Sequence, residues 1–90
     1  MFRLWCKLFD DGNHLIKDTV IENEAMDLSR TQKIFAGIES ACYQFDLSKP
    51  IWLDSNIESF KKHSKVRFLQ DNFIDHIDFE YMEIHIIEED

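Results

Sequence analysis

Residues 2–9 alternate without a break: Phe2, Leu4, Cys6 and Leu8 have one parity, Arg3, Trp5, Lys7 and Phe9 the other. Successive side chains of a strand point to opposite faces, so this pattern demands a β-strand with one face buried. A second run, 14–22, follows the turn residues Asp10-Asp11-Gly12-Asn13, and together the two runs predict a β-hairpin. Two loops compete. Asp11-Gly12 has the better two-residue turn chemistry. Gly12-Asn13 instead sets Lys7 opposite Asp18 and Arg3 opposite Glu22, each pair contributing about 0.2–1 kcal/mol, and this register is slightly favoured. In either case the core face carries Phe2, Leu4, Cys6 and Leu8 beside Leu15, Thr19 and Ile21, with Lys17 near its edge. The outer face carries Arg3, Trp5, Lys7 and Phe9 beside Ile16, Asp18 and Val20.

A half-buried hairpin needs a second layer. Ile34, Ile38, Ala41, Cys42 and Phe45 form one apolar stripe at helical spacing, which predicts a helix over about 29–45, capped by Asp27 or by Ser29, whose Ser29-Arg30-Thr31-Gln32 run fits a capping box. Lys49-Pro50 opens a short strand at 51–53. Ser55-Asn56-Ile57-Glu58 is a second capping box, starting a short helix that runs to about 63. Strands follow at about 65–70 and 79–87, with 71–78 a loop or one helical turn. In the last strand Met82, Ile84 and Ile86 share one face; Phe79, Tyr81, Glu83, His85 and Ile87 share the other. The expected fold is α+β: a single two-layer domain over 1–90, in the order β-β-α-β-α-β-β, with a mainly antiparallel sheet packed by one main helix. Strand order is not readable from the sequence. With only two Gly, one Pro and 12 aromatic residues in ninety, the chain is built for regular structure. At this size stability is about 5–10 kcal/mol, and dimerisation would add to it.

Charge is segregated along the chain. Residues 1–67 hold ten basic and ten acidic residues. Residues 68–90 hold eight acidic residues and no Lys or Arg, which accounts for the whole net charge of −8. An acidic balance disfavours non-specific binding to nucleic acid or anionic membrane. No segment approaches the ~20 apolar residues of a membrane span. The N-terminus lacks the apolar stretch of a signal peptide, so a cytoplasmic location is expected. Cys6 and Cys42 then read as reduced, buried core thiols.

Four groups of residues are candidates for function. Lys61, Lys62, Lys65 and Arg67, flanked by Phe60 and Phe68, offer an anion or nucleic-acid contact; against this, cations in the last turn of a helix complement its dipole. Arg3, Trp5, Lys7 and Phe9 form an outer strand face of the kind found at protein interfaces, where Trp and Arg are favoured, or in type at single-strand nucleic-acid platforms, unless another element of the chain covers it. Glu88, Glu89 and Asp90 form an acidic docking patch for a basic partner, or a solvated end. His76, Asp78, Glu83 and His85 are metal-ligating types, and Glu83 and His85 share a strand face. No recognised ligand spacing is present, so no metal site is expected. No nucleophile motif or glycine-rich phosphate loop exists, so no catalytic residue and no cofactor are expected.

The runs FDLSKPIWLDSNI (45–57), KKHSKVRFLQDNF (61–73) and IDFEYMEIHIIEED (77–90) resemble a family of small uncharacterised proteins of clostridial and related Gram-positive gut bacteria. The resemblance covers nearly the whole chain, including the Trp5 hairpin. It implies a free-standing cytoplasmic bacterial domain and supplies no active site. The leading expectation is a small non-enzymatic protein–protein interaction module with a protein partner or a homodimer, independent of any membrane. The alternative is a nucleic-acid-associated regulator acting through residues 61–67.

Overall fold

The structure, a computed structural model, describes residues 1–89. Strands β1 (Phe2–Phe9) and β2 (Leu15–Asn23) are followed by helices α1 (Arg30–Phe45) and α2 (Asp54–His63), then β3 (Lys65–Phe68), a short 3-10 turn (Gln70–Asn72) and β4 (Tyr81–Glu88). The strands form one antiparallel sheet in the order β2-β1-β4-β3. This is an α+β architecture. Its second layer holds two helices rather than one main helix. α1 packs on β1 and β2, and α2 on β3.

The expected alternation of β1 is realised: Phe2, Leu4, Cys6 and Leu8 are all buried. They meet Ile34, Ile38, Ala41 and Cys42 of α1, together with Phe60, Val66, Phe68, Met82, Ile84 and Ile86, in one contiguous core. Full burial of each large apolar side chain contributes about 1.5–3 kcal/mol. Phe45, the last residue of the predicted stripe, is half-buried against this core. α1 lies close to β1 at Gly37, where a Cβ would stand 2.8 Å from Leu4 Cδ2. Its N-terminus carries the predicted capping box: Gln32 N donates to Ser29 Oγ and Ser29 N to Gln32 Oε1.

The hairpin keeps the charge-paired register, with Arg3 opposite Glu22 and Lys7 opposite Asp18. Its loop is neither of the two-residue turns. Asn13 N donates to Asp10 O, Asp10 N donates to His14 O, and the Asp10 carboxylate accepts from Gly12 N and His14 N. Asn13 takes the left-handed conformation (φ 61°), as do Asp46 and Ser64 at the ends of the two helices. In a chain with two glycines, short polar residues take these positions because they tolerate the left-handed region best.

The longer loop forces a bulge. Phe9 pairs with Leu15 and Leu8 with Lys17, so Ile16 is the extra residue. Two assignments are thereby corrected. Leu15 leaves the core face and stands opposite Phe9 on the outer face, while Ile16 lines a crevice with Leu8 and Phe45. A one-residue slip in register inverts side-chain direction, which local pattern does not reveal.

Residues 51–53 are not a strand. Pro50 lacks an N–H, and the backbone groups that follow are taken by two buried asparagines. Asn72 O accepts from Ile51 N (2.6 Å), Asn72 Nδ2 donates to Ile51 O (2.7 Å), and Asn56 Oδ1 accepts from Leu53 N (2.9 Å). Asn72 Nδ2 also donates to Asn56 Oδ1 (2.7 Å), and Asn56 Nδ2 to Arg67 O (3.1 Å). Buried polar groups need partners, and this network fastens the 49–53 segment to α2 and β3 without a ladder. It also starts α2 at Asp54, ahead of the predicted Ser55 cap.

Candidate interaction surfaces

Both helices pack on the Leu4–Cys6 face of the sheet, which leaves the opposite face without a helical layer. Strand pairing sets this open face out in rows. Val20, Trp5, His85 and Lys65 make one row; Asp18, Lys7, Glu83 and Arg67 the next; Leu15, Phe9 and Tyr81 a third. Glu22, Arg3 and Glu88 close the far end, after a second register shift carries β4 past Ile87. The Arg3-Trp5-Lys7-Phe9 face predicted from β1 is therefore the centre of a surface that spans four strands.

Charge alternates along the second row. Lys7 Nζ is 3.0 Å from Glu83 Oε1, and Arg67 Nε is 3.1 Å from Glu83 Oε2. Trp5 Nε1 donates to Asp18 Oδ2 at 2.9 Å, and Lys7 Nζ lies 3.9 Å from the centre of the Trp5 ring. Phe9 stacks on Tyr81 at 4.9 Å, with Arg67 Cζ 4.6 Å from the Tyr81 ring. Tyr81 Oη donates to Asn13 Oδ1, tying β4 to the hairpin loop. The Glu83 side chain is only 9% exposed. Burial acts to raise its carboxyl pKa, but hydrogen bonds and charge from Lys7 and Arg67 outweigh this and hold it below the usual carboxylate value. The neighbouring His85 is pushed down, by burial first and then by Lys7 and Lys65, against a smaller opposite pull from Glu83. Arg3 Nε stands 3.1 Å from Glu22 and 3.2 Å from Glu88 without an aligned hydrogen bond to either.

The basic residues at 61–67 do not stay together. Lys65 and Arg67 face the open side of β3, opposite His85 and Glu83, while Lys61 lines a cleft in the helical layer. Lys62 stands exposed in the last turn of α2. Arg67 is committed to Glu83. Of the acidic end, Glu88 meets Arg3 and the N-terminal ammonium, and Glu89 meets Arg30 Nε at 2.7 Å; Asp90 lies outside the described residues. Both described carboxylates thus face cations of their own chain. His76 is exposed beside Asp78, away from Glu83 and His85, and among the described residues no three His, Cys, Asp or Glu side chains are grouped to hold a metal ion. Burial, with Cys42 nearby, pushes the Cys6 thiol up to about 12; burial raises Cys42 to about 11 against an opposing pull from Lys49. Both are protonated and poor nucleophiles at neutral pH.

The cleft in the helical layer was not foreseen. Its cavity of about 250 Å³ lies between α1 and α2, lined by Ile34, Phe35, Trp52, Ile57 and Phe60, with Arg30 and Lys61 at the rim. Phe35 is 52% and Ile57 40% exposed. Trp52 meets Phe35, Phe60 and Phe68 edge to face at 6.0, 5.6 and 5.0 Å. The available signal was Phe35 and Ile57, large apolar residues off the buried stripes of their helices. Read alone, each is an ordinary exposed hydrophobe.

No family model, curated protein or solved structure matches this chain. Among the described residues, no helix is long and apolar enough to cross a membrane.

Proposed function

We propose that the chain is a small non-enzymatic interaction module that associates with a protein surface, in the first instance a second copy of itself, through the open face of its sheet. The observation that carries this reading is a four-stranded face without a helical layer, on which Trp5 and Phe9 stand among exposed Leu15 and Val20. Interfaces favour such aromatic and Arg-bearing patches with polar surroundings. The face is also balanced in charge. Arg3, Lys7, Lys65 and Arg67 stand with Asp18, Glu22, Glu83 and Glu88. Two copies that each carry −8 repel at long range, but this face meets its own image without net repulsion.

Sedimentation velocity across a concentration series tests the proposal. A reversible shift to dimer is expected, weakened by Trp5→Ala and by Val20→Asp and little changed by Glu89→Gln. Affinity capture from lysate, with and without nuclease, covers a different partner. A strictly monomeric protein with no nuclease-resistant partner sensitive to Trp5→Ala would remove this function.

A further inference from the structure

We infer that the cleft between α1 and α2 is a binding site for a small amphiphilic carboxylate, an organic acid with a short apolar body. Shape argues for a small ligand. The cavity is concave and, at about 250 Å³, lies just below the ~300–1,000 Å³ of sites that enclose drug-sized molecules. Its walls suit an apolar body, because Ile34, Phe35, Trp52, Ile57 and Phe60 present hydrocarbon and aromatic edges. Exposed apolar surface of this kind is stabilised when an apolar group replaces water against it.

The rim selects the head group. Arg30 and Lys61 border the apolar walls. Lys61 has no ion-pair partner among the described residues. Arg30 already holds a carboxylate, that of Glu89, at 2.7 Å from Nε, so the rim's affinity for this group is displayed within the chain itself. The preference also runs against the global field. A protein of charge −8 attracts cationic amphiphiles non-specifically, so selection of an anionic one must arise locally, at Lys61 first and at Arg30 where the ligand carboxylate competes with Glu89.

The site is independent of the open sheet face, and its test does not depend on self-association. The Trp5→Phe protein leaves Trp52 as the sole tryptophan, so its fluorescence reports the cleft; amide and methyl chemical shifts locate the ligand. Titrations use decanoate, decan-1-ol and decyltrimethylammonium, each below its micelle concentration. Decanoate is expected to bind most tightly, with shifts centred on Phe35, Trp52 and Ile57. Lys61→Gln should weaken it about five-fold, as befits an exposed charge contact. Phe35→Ala should weaken it about ten-fold through lost apolar contact. Lys61 and Phe35 are both exposed, and thermal melts confirm that the variants fold. The inference is overturned if the ammonium compound binds as tightly as decanoate, if both variants bind decanoate unchanged, or if no saturable shift occurs at or below about 1 mM.

Discussion

The open sheet face and the helical cleft both expose aromatic residues, yet they are finished differently. On the sheet, Trp5 Nε1 is bonded to Asp18, Lys7 and Arg67 share the Glu83 carboxylate, and Phe9 stacks on Tyr81. In the cleft, Phe35 and Ile57 stand apolar and open beside Lys61. The first surface is broad and charge-balanced, suited to another broad surface. The second is concave with positive charge at its rim, suited to a small anionic guest. Aromatic content alone does not separate the two; polar satisfaction and shape do.

If that contrast is right, side chains on the sheet face and in the cleft's anchoring network carry stability, while the exposed cleft residues Phe35 and Ile57 carry little. The largest effect is expected at the asparagine network behind Trp52. Asn72→Ala leaves Ile51 O, Leu69 N and the buried Asn56 Oδ1 without its hydrogen bonds and should lower unfolding free energy by about 2–3 kcal/mol in urea denaturation. Glu83→Gln comes next. It leaves Lys7 and Arg67 without their shared anion and should cost about 1–2 kcal/mol by the same measurement.

Acid should weaken the sheet face along with it. The folded Glu83 carboxyl is more acidic than its unfolded counterpart. As pH falls the unfolded chain takes the proton first, so this contribution is complete above about pH 4.3 and is lost as pH drops through the lower folded value. The folded His85 imidazole is also harder to protonate than in the unfolded chain, so its contribution is complete above about pH 6.5 and declines below it. A melting-temperature profile from pH 7 to 5 should slope downward toward acid, and His85→Gln should flatten it.

Smaller effects mark the other side of the contrast. Glu89→Gln breaks an exposed pair with Arg30 and should cost less than about 1 kcal/mol, and less still in high salt. Phe35→Ala, half-exposed at the cleft, should change stability by no more than about 0.5 kcal/mol. A large loss there would make the cleft part of the core and erase the distinction.

How much was readable follows the range of the interactions. The β1 alternation, the α1 stripe and the Ser29 cap are local patterns, and each appears where the sequence places it. The hairpin register favoured by the cross-strand charges, Arg3 opposite Glu22 and Lys7 opposite Asp18, is the one found, although the Lys7 ammonium turns to Glu83 and Asp18 accepts from Trp5. The loop did not follow, because Asp10 bonds two backbone N–H groups across it, and that choice moved Leu15 and Ile16. The Ile51-Trp52-Leu53 run looked like a strand because strand chemistry is all a three-residue window can show; Asn56 and Asn72, three and nineteen residues beyond Leu53, captured its backbone instead.

The outer face was legible as half a site. From Arg3-Trp5-Lys7-Phe9 the sequence implied an aromatic, cationic strand face, but only strand order β2-β1-β4-β3 brought Glu83 between Lys7 and Arg67. The boundary at Ser64, where α2 gives way to β3, divided the basic run 61–67 between two layers. By itself the sequence determined the hairpin strands, the α1 stripe with its cap and the net charge, because these depend on neighbours along the chain. The tertiary structure alone decided which charges neutralise each other and where Phe35, Trp52 and Ile57 converge. Those outcomes depend on contacts between distant residues, which no local period encodes.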